Sequence, residues 1–155
     1  MSEEKLSVTR SINASADAIF DVLTRPERHR DFDGSSMVQS GDASQRIQAV
    51  GDVFRMNMHA DGLGDYTMEN HVTACAPNKV VGWAPAMEGM DPMGHTWTYT
   101  LEPEGPDSTE VTLTYDWSGL KPGPWMEKLP SIPTMPVIPQ EALEQSLNLL
   151  AESVA

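Results

Sequence analysis

Apolar residues recur at every second position through most of this chain, the signature of strands with one buried face. In KLSVTRSI, Leu6, Val8 and Arg10 point one way and Ser7, Thr9 and Ser11 the other. The following segment, NASADAIFDVLTRPERHRDF, changes period. Ile19, Phe20 and Leu23 form an apolar stripe, Ser15 can cap a helix and Asp17 suits its first turn. Pro26 interrupts that pattern, so two short helices ending near Phe32 are expected, with His29 in a solvated basic patch.

Alternation resumes from Met37 to Trp117. SMVQSG is a short strand. In GDVFRMNMHA (51–60), Phe54, Met56 and Met58 alternate with Arg55, Asn57 and His59, and the glycine-rich DGLGD turns the chain. YTMENHVTAC returns, and NKVVGWAPAM follows a turn at Pro77 and Asn78. A Pro/Gly loop, 85–94, then carries Met87, Met90 and Met93. HTWTYTLEP places Trp97, Tyr99 and Leu101 on one face, and STEVTLTYDWS does the same for Val111, Leu113, Tyr115 and Trp117. Consecutive strands with short turns predict an antiparallel meander.

After Gly119 the pattern breaks. Prolines 122, 124, 130, 133 and 136 exclude a central strand or a long helix. With Trp125, Met126, Leu129 and Met135 among them, the 119–136 segment is a lid, a strap or an interaction surface. The chain closes in PQEALEQSLNLLAESVA. Pro139 suits a first turn, and Leu143, Leu147, Leu150 and Val154 recur at helical spacing. A helix from Gln140 to Val154 would span about 22 Å.

Composition narrows the picture. At 155 residues the expectation is one domain, 1–155, large enough to bury roughly 68–70% of its unfolded surface. A formal charge of −13 opposes nucleic acid or anionic lipid as a partner. The lone Cys75 has no CxxC partner and fits a small packed side chain. MSEEKLSVTRS lacks the pattern of a secretory leader, and no apolar run approaches the roughly 18 residues of a membrane span. The expectation is a soluble cytoplasmic protein without integral membrane contact, a monomer or a homodimer.

The order of elements is a strand, two small helices, six antiparallel strands and an amphipathic terminal helix. It resembles the helix-grip, birch-pollen-allergen-like fold of the START-like (SRPBCC) superfamily. The phrases SADAIFDVLTRPERHRDFDG, GDVFRMNM, DYTMENHV, GHTWTYTLEP and TEVTLTYDWSG look in particular like its polyketide cyclase/dehydrase-like branch. The resemblance implies an α+β fold in which a curved sheet of about seven strands grips the last helix. It also implies a hydrophobic ligand held between them. Lipid and hormone binders, polyketide cyclases and co-chaperone-like domains share this fold, so fold alone does not choose among them.

Strand phase selects the candidate site. Phe54, Met56, Met58, Tyr66, Met68, Asn70, Trp83, Trp97, Tyr99, Tyr115 and Trp117 fall on the inner face, opposite Leu143 and Leu147 of the helix. Met87 stands at the entrance, where its adaptable thioether suits a permissive pocket. The conspicuous Glu69 and His71 fall outside, within reach of Arg55, Asn57 or His59. An exterior metal site from His59, Glu69 and His71 has no recognised ligand spacing, and neither metal nor cofactor is expected. Asn70 is the inward polar residue. It either makes a structural hydrogen bond to Tyr66, Tyr99 or nearby backbone, or it orients a ligand. His95 shares the phase of Trp97 and Tyr99 at the cavity mouth. The expected function is binding of a lipid, polyketide or aromatic metabolite. Two alternatives stand beside it. One is a cyclase or dehydratase using Asn70, His95, Tyr99 or Tyr115, and the other is a protein-interaction module acting through 119–136.

Overall fold

Every segment with period-two alternation forms a strand. The computed structural model describes residues 4–35, 37–42, 45–60, 63–121, 123, 124, 126 and 138–154. Its elements are β1 (Lys5–Ile12), α1 (Ala16–Leu23), a 3₁₀ helix (Pro26–Phe32), β2 (Val38–Gly41), β3 (Val53–Ala60), β4 (Gly64–Ala76), β5 (Val80–Met87), β6 (Thr96–Gly105), β7 (Ser108–Asp116) and α2 (Gln140–Ser153). The 119–136 segment lies largely outside the described residues, and Trp125 wholly so.

Local chemistry sets the boundaries. The Ser15 hydroxyl accepts the Ala18 N–H at 3.1 Å, satisfying one of the free donors at the start of α1. Pro26 at the start of the 3₁₀ helix fixes φ where no N–H is needed. Gly64 at φ +80° turns β3 into β4, a conformation that a Cβ would strain.

The strands form one antiparallel sheet in the order β1-β7-β6-β5-β4-β3-β2. This is the open, curved helix-grip sheet of an α+β fold. Pairing of β5 with β6 ends at Trp83 opposite Trp97, although β5 continues to Met87. Residues 84–87 therefore pair with β4 and not with β6, and on their free side Ala86 bridges to Pro92. The chain folds back so that the Met93 N–H reaches the Pro85 carbonyl. Pro85, with no N–H to donate, sits where β5 has parted from β6. That divergence opens the sheet at one end. It also places Met87 in a strand, not in the loop expected over 85–94.

The core lies between the inner face and α2. Val8, Ile12, Ile19, Leu23, Val81, Leu101, Val111 and Leu113 are buried, as are Leu143, Leu147 and Leu150 of α2. Burying each leucine contributes roughly 1.5–3 kcal/mol, enough to dock a helix whose polar side faces water. On the edge strand β1, Arg10 donates to the Asn148 side chain of α2 at 2.7 Å. At the other side the Gly34 N–H donates to Ser146 Oγ at 2.8 Å. A Cβ at Gly34 would stand 2.0 Å from the Ala142 carbonyl oxygen, so only glycine allows this approach. Among the described residues no helix is long and apolar enough to cross a membrane.

Candidate functional site

Between the sheet, the 3₁₀ helix and α2 lies a cavity of about 350 Å³. That is the liquid volume of roughly a dozen waters, and the wall is mostly apolar. One wall is aromatic. Trp97 and Tyr115, opposite each other on β6 and β7, stack with centroids 4.1 Å apart. Trp83 lies beside Tyr99, which meets Phe32 edge-on at 5.9 Å. The other end is built of thioethers. Met68, Met87 and Met93 form a buried cluster against Met58, Met90 and Met126, with Leu63, Tyr66 and Leu120 around it.

Few polar groups interrupt this lining. Asn70 is 6% exposed, between Phe54 and Pro85 across the ladder. Among the described residues no group hydrogen-bonds its side-chain amide, including Tyr66, Tyr99 and the neighbouring backbone. His95 follows the loop that leaves β5. Its Nδ1 is buried and has no hydrogen-bond partner among the described residues. Burial pushes the imidazole down to a pKa of about 4, so it is neutral at physiological pH. The ring stands edge-on to Tyr115 at 6.1 Å.

His29 overturns its expected place in a solvated patch. It is 4% exposed and lines the cavity, because the tight 3₁₀ turn carries it under the sheet. Its Nε2–H donates to the Leu23 carbonyl at 2.8 Å, and its ring stacks on Trp83 at 5.0 Å. Burial pushes its pKa down to about 4, against the opposing pull of the Leu23 carbonyl and Asp33. Asp33 also lines the cavity. Its carboxylate accepts the Ser35 N–H and hydroxyl at 2.9 and 2.6 Å and the Val38 N–H at 2.7 Å. Burial, and then the charge on Asp33, raise the pKa values of Tyr66 and Tyr99.

Of the residues selected by phase, Met56, Met58, Tyr66, Met68, Asn70, Trp83, Met87, Trp97, Tyr99, Tyr115 and Leu143 line the cavity, and so does His95. Three do not. Phe54 packs edge-on against His29 and Trp83 in the solid part of the core. Leu147 is buried one turn beyond Leu143, facing β1, not the void. Trp117 lies past the end of β7 and rests on Tyr115, its ring 5.1 Å away. Besides His29 and Asp33, the lining includes Phe32, Ser35, Met37, Ile138 and Ser146, most of them in segments without periodic signal.

Glu69 and His71 occupy the outer face. Glu69 Oε1 accepts the Gly89 N–H at 2.7 Å, and its other oxygen is 3.9 Å from Arg55, its partner in register. Arg55 also pairs with Glu88, while His59 lies 2.8 Å from Asp65. Among the described residues no three metal-ligating side chains converge. Cys75 is half-buried against the core, and burial raises its thiol pKa, consistent with a packing role.

A curved sheet gripping a terminal helix around a mostly apolar cavity defines a START-like (SRPBCC) protein. The family is more specific: the chain belongs to the Activator of Hsp90 ATPase homolog 1-like family, whose model matches residues 13–154. It is 35% identical over 112 residues to an uncharacterized protein of Mycobacterium tuberculosis, an alignment covering 71% of this chain and 47% of that protein. The chain thus spans about half the length of the curated relatives it matches. Solved structures of similar fold include a START superfamily protein from Mycobacterium smegmatis (TM-score 0.61, 19% identity, 97% of this chain and 96% of that one). The ZhuI aromatase/cyclase from Streptomyces sp. R1128 is another (TM-score 0.62, 13% identity, 97% and 92%).

Proposed function

We propose that residues 1–155 act as a single ligand-binding domain whose cavity holds a hydrophobic small molecule: a lipid, a polyketide or an aromatic metabolite. The observation that carries this reading is an apolar void of about 350 Å³ bordered by Asn70, whose amide no described residue hydrogen-bonds. A buried amide without a hydrogen bond costs roughly 1–3 kcal/mol, and a ligand oxygen or hydroxyl in the void would offset that. The contact residues in this reading are those that line the void on β3 to β7, together with Leu143 of α2. The acidic surface suits a cytoplasmic binder working as a monomer or homodimer. Native mass spectrometry of the purified protein, followed by organic extraction, tests the reading. The expected result is a bound small molecule, or saturable quenching of Trp83 and Trp97 fluorescence by the neutral dye Nile red. Absence of both sinks it.

A second reading rests on His95. His95 lines the void, and burial lowers its pKa to about 4, so the imidazole is neutral at physiological pH, a state that can accept or relay a proton. With Asn70 polarising a carbonyl, the same cavity would act as a cyclase or dehydratase on a bound polyketide. Turnover of a poly-β-ketone that vanishes in Asn70→Ala or His95→Ala, with Nile red binding retained, supports it. Unchanged turnover in both variants removes it.

A further inference from the structure

We propose that the cavity selects an uncharged, hydrogen-bonding aromatic, such as a phenol or aryl alcohol, over carboxylate-bearing lipids, because its described wall supplies one carboxylate and neither lysine nor arginine. The inference deepens the reading of the void as a ligand site and rests on it. An anionic headgroup that leaves water needs a cation or a set of aimed donors in exchange. Among the described lining residues no lysine or arginine is present, and the one formal charge is Asp33. Its influence reaches across the void, since Asp33 adds to the burial that raises Tyr66 and Tyr99. Neither lining histidine offers a compensating cation at neutral pH, since both stay neutral down to about 4.

The same wall suits a neutral ligand. Trp83, Trp97 and Tyr99 border the void, so a flat molecule held there can make aromatic contacts with them. A ligand hydroxyl can donate to the Asn70 side-chain oxygen and can accept from the Asn70 amide N–H. One hydroxyl thereby satisfies groups that the protein leaves open.

The test compares 2-naphthol with 2-naphthoate, near in shape and differing in charge at neutral pH. Calorimetry and tryptophan quenching are read on the full chain. The expected result is 2-naphthol bound at least about tenfold more tightly. Asp33→Asn should narrow that ratio. Met58→Lys, which places an ammonium on the half-buried cavity wall, should reverse it. The lysine variant keeps the test sharp if loss of the Asp33 hydrogen bonds prevents folding. Nile red separates the two levels of the argument. If Nile red binds but naphthoate binds as tightly as naphthol, or both variants leave the ratio unmoved, the charge selection is overturned and the ligand site stands. If neither Nile red nor naphthol binds, the ligand site fails and the selection with it.

Discussion

Replacing Asn70 by leucine should stabilise the empty protein while weakening its binding, a combination that a structural amide could not give. The residue is 6% exposed, and no described group bonds its amide. Leucine has nearly the same shape and removes the unpaired polar atoms. The gain is at most the amide's desolvation cost, up to about 1–3 kcal/mol, since no bond to a described residue is lost with it. For a chain of this size each kcal/mol moves Tm by roughly 2–4 °C. Urea unfolding reads the effect as a higher midpoint at unchanged slope. Naphthol affinity should fall about threefold to tenfold, the net worth of one hydrogen bond. A loss of more than about 1 kcal/mol in stability would refute the reasoning, because it would mean the amide is already paired in the folded protein.

Three further predictions follow from other parts of the fold. His29 and His95 have pKa values lowered to about 4 from 6.5, so the unfolded chain binds more protons between those values. Stability is therefore complete above pH 6.5 and should fall on acidification to pH 4 by about 1.4 kcal/mol per pH unit for each histidine. His29→Phe should flatten part of that slope in urea titrations across this window, and an unchanged slope would contradict it. Gly34→Ala forces a Cβ to within 2.0 Å of the Ala142 carbonyl, so it should separate α2 from the 3₁₀ segment and lower Tm by at least about 5 °C. Glu69→Gln and His71→Ala, on the wet face, should each change stability by less than about 1 kcal/mol and leave Nile red binding intact.

The strands and their inward faces were legible because a period of two depends only on the residues themselves. Met56, Met68, Trp83 and Tyr99 needed nothing else. Depth along a face was not legible. Phe54 and Met56 carry the same signal, yet the first packs against His29 and the second borders the void. The placement of His29 was hidden for a different reason. Arg28, His29 and Arg30 look alike in sequence, and only the 3₁₀ turn decides which one goes under the sheet. Asp33, Ser35 and Met37 sit in a connection with no period at all, and they reach the cavity through hydrogen bonds centred on the Asp33 carboxylate. The parting of β5 from β6 had one faint trace, Pro85 within a strand pattern.

The thioether end of the cavity bears on how finely the protein can discriminate. A methionine side chain has three rotatable bonds and a polarisable sulfur, so a wall of Met68, Met87, Met93 and Met58 can remould around guests of different outline. Each remoulding freezes rotamers at roughly comparable entropic cost, whichever guest arrives. Homologous ligands differing by a methylene or a fused ring should then bind within a narrow band of affinity. Size becomes a weak criterion and polarity a strong one, so the protein is suited to a chemical class more than to any one member of it.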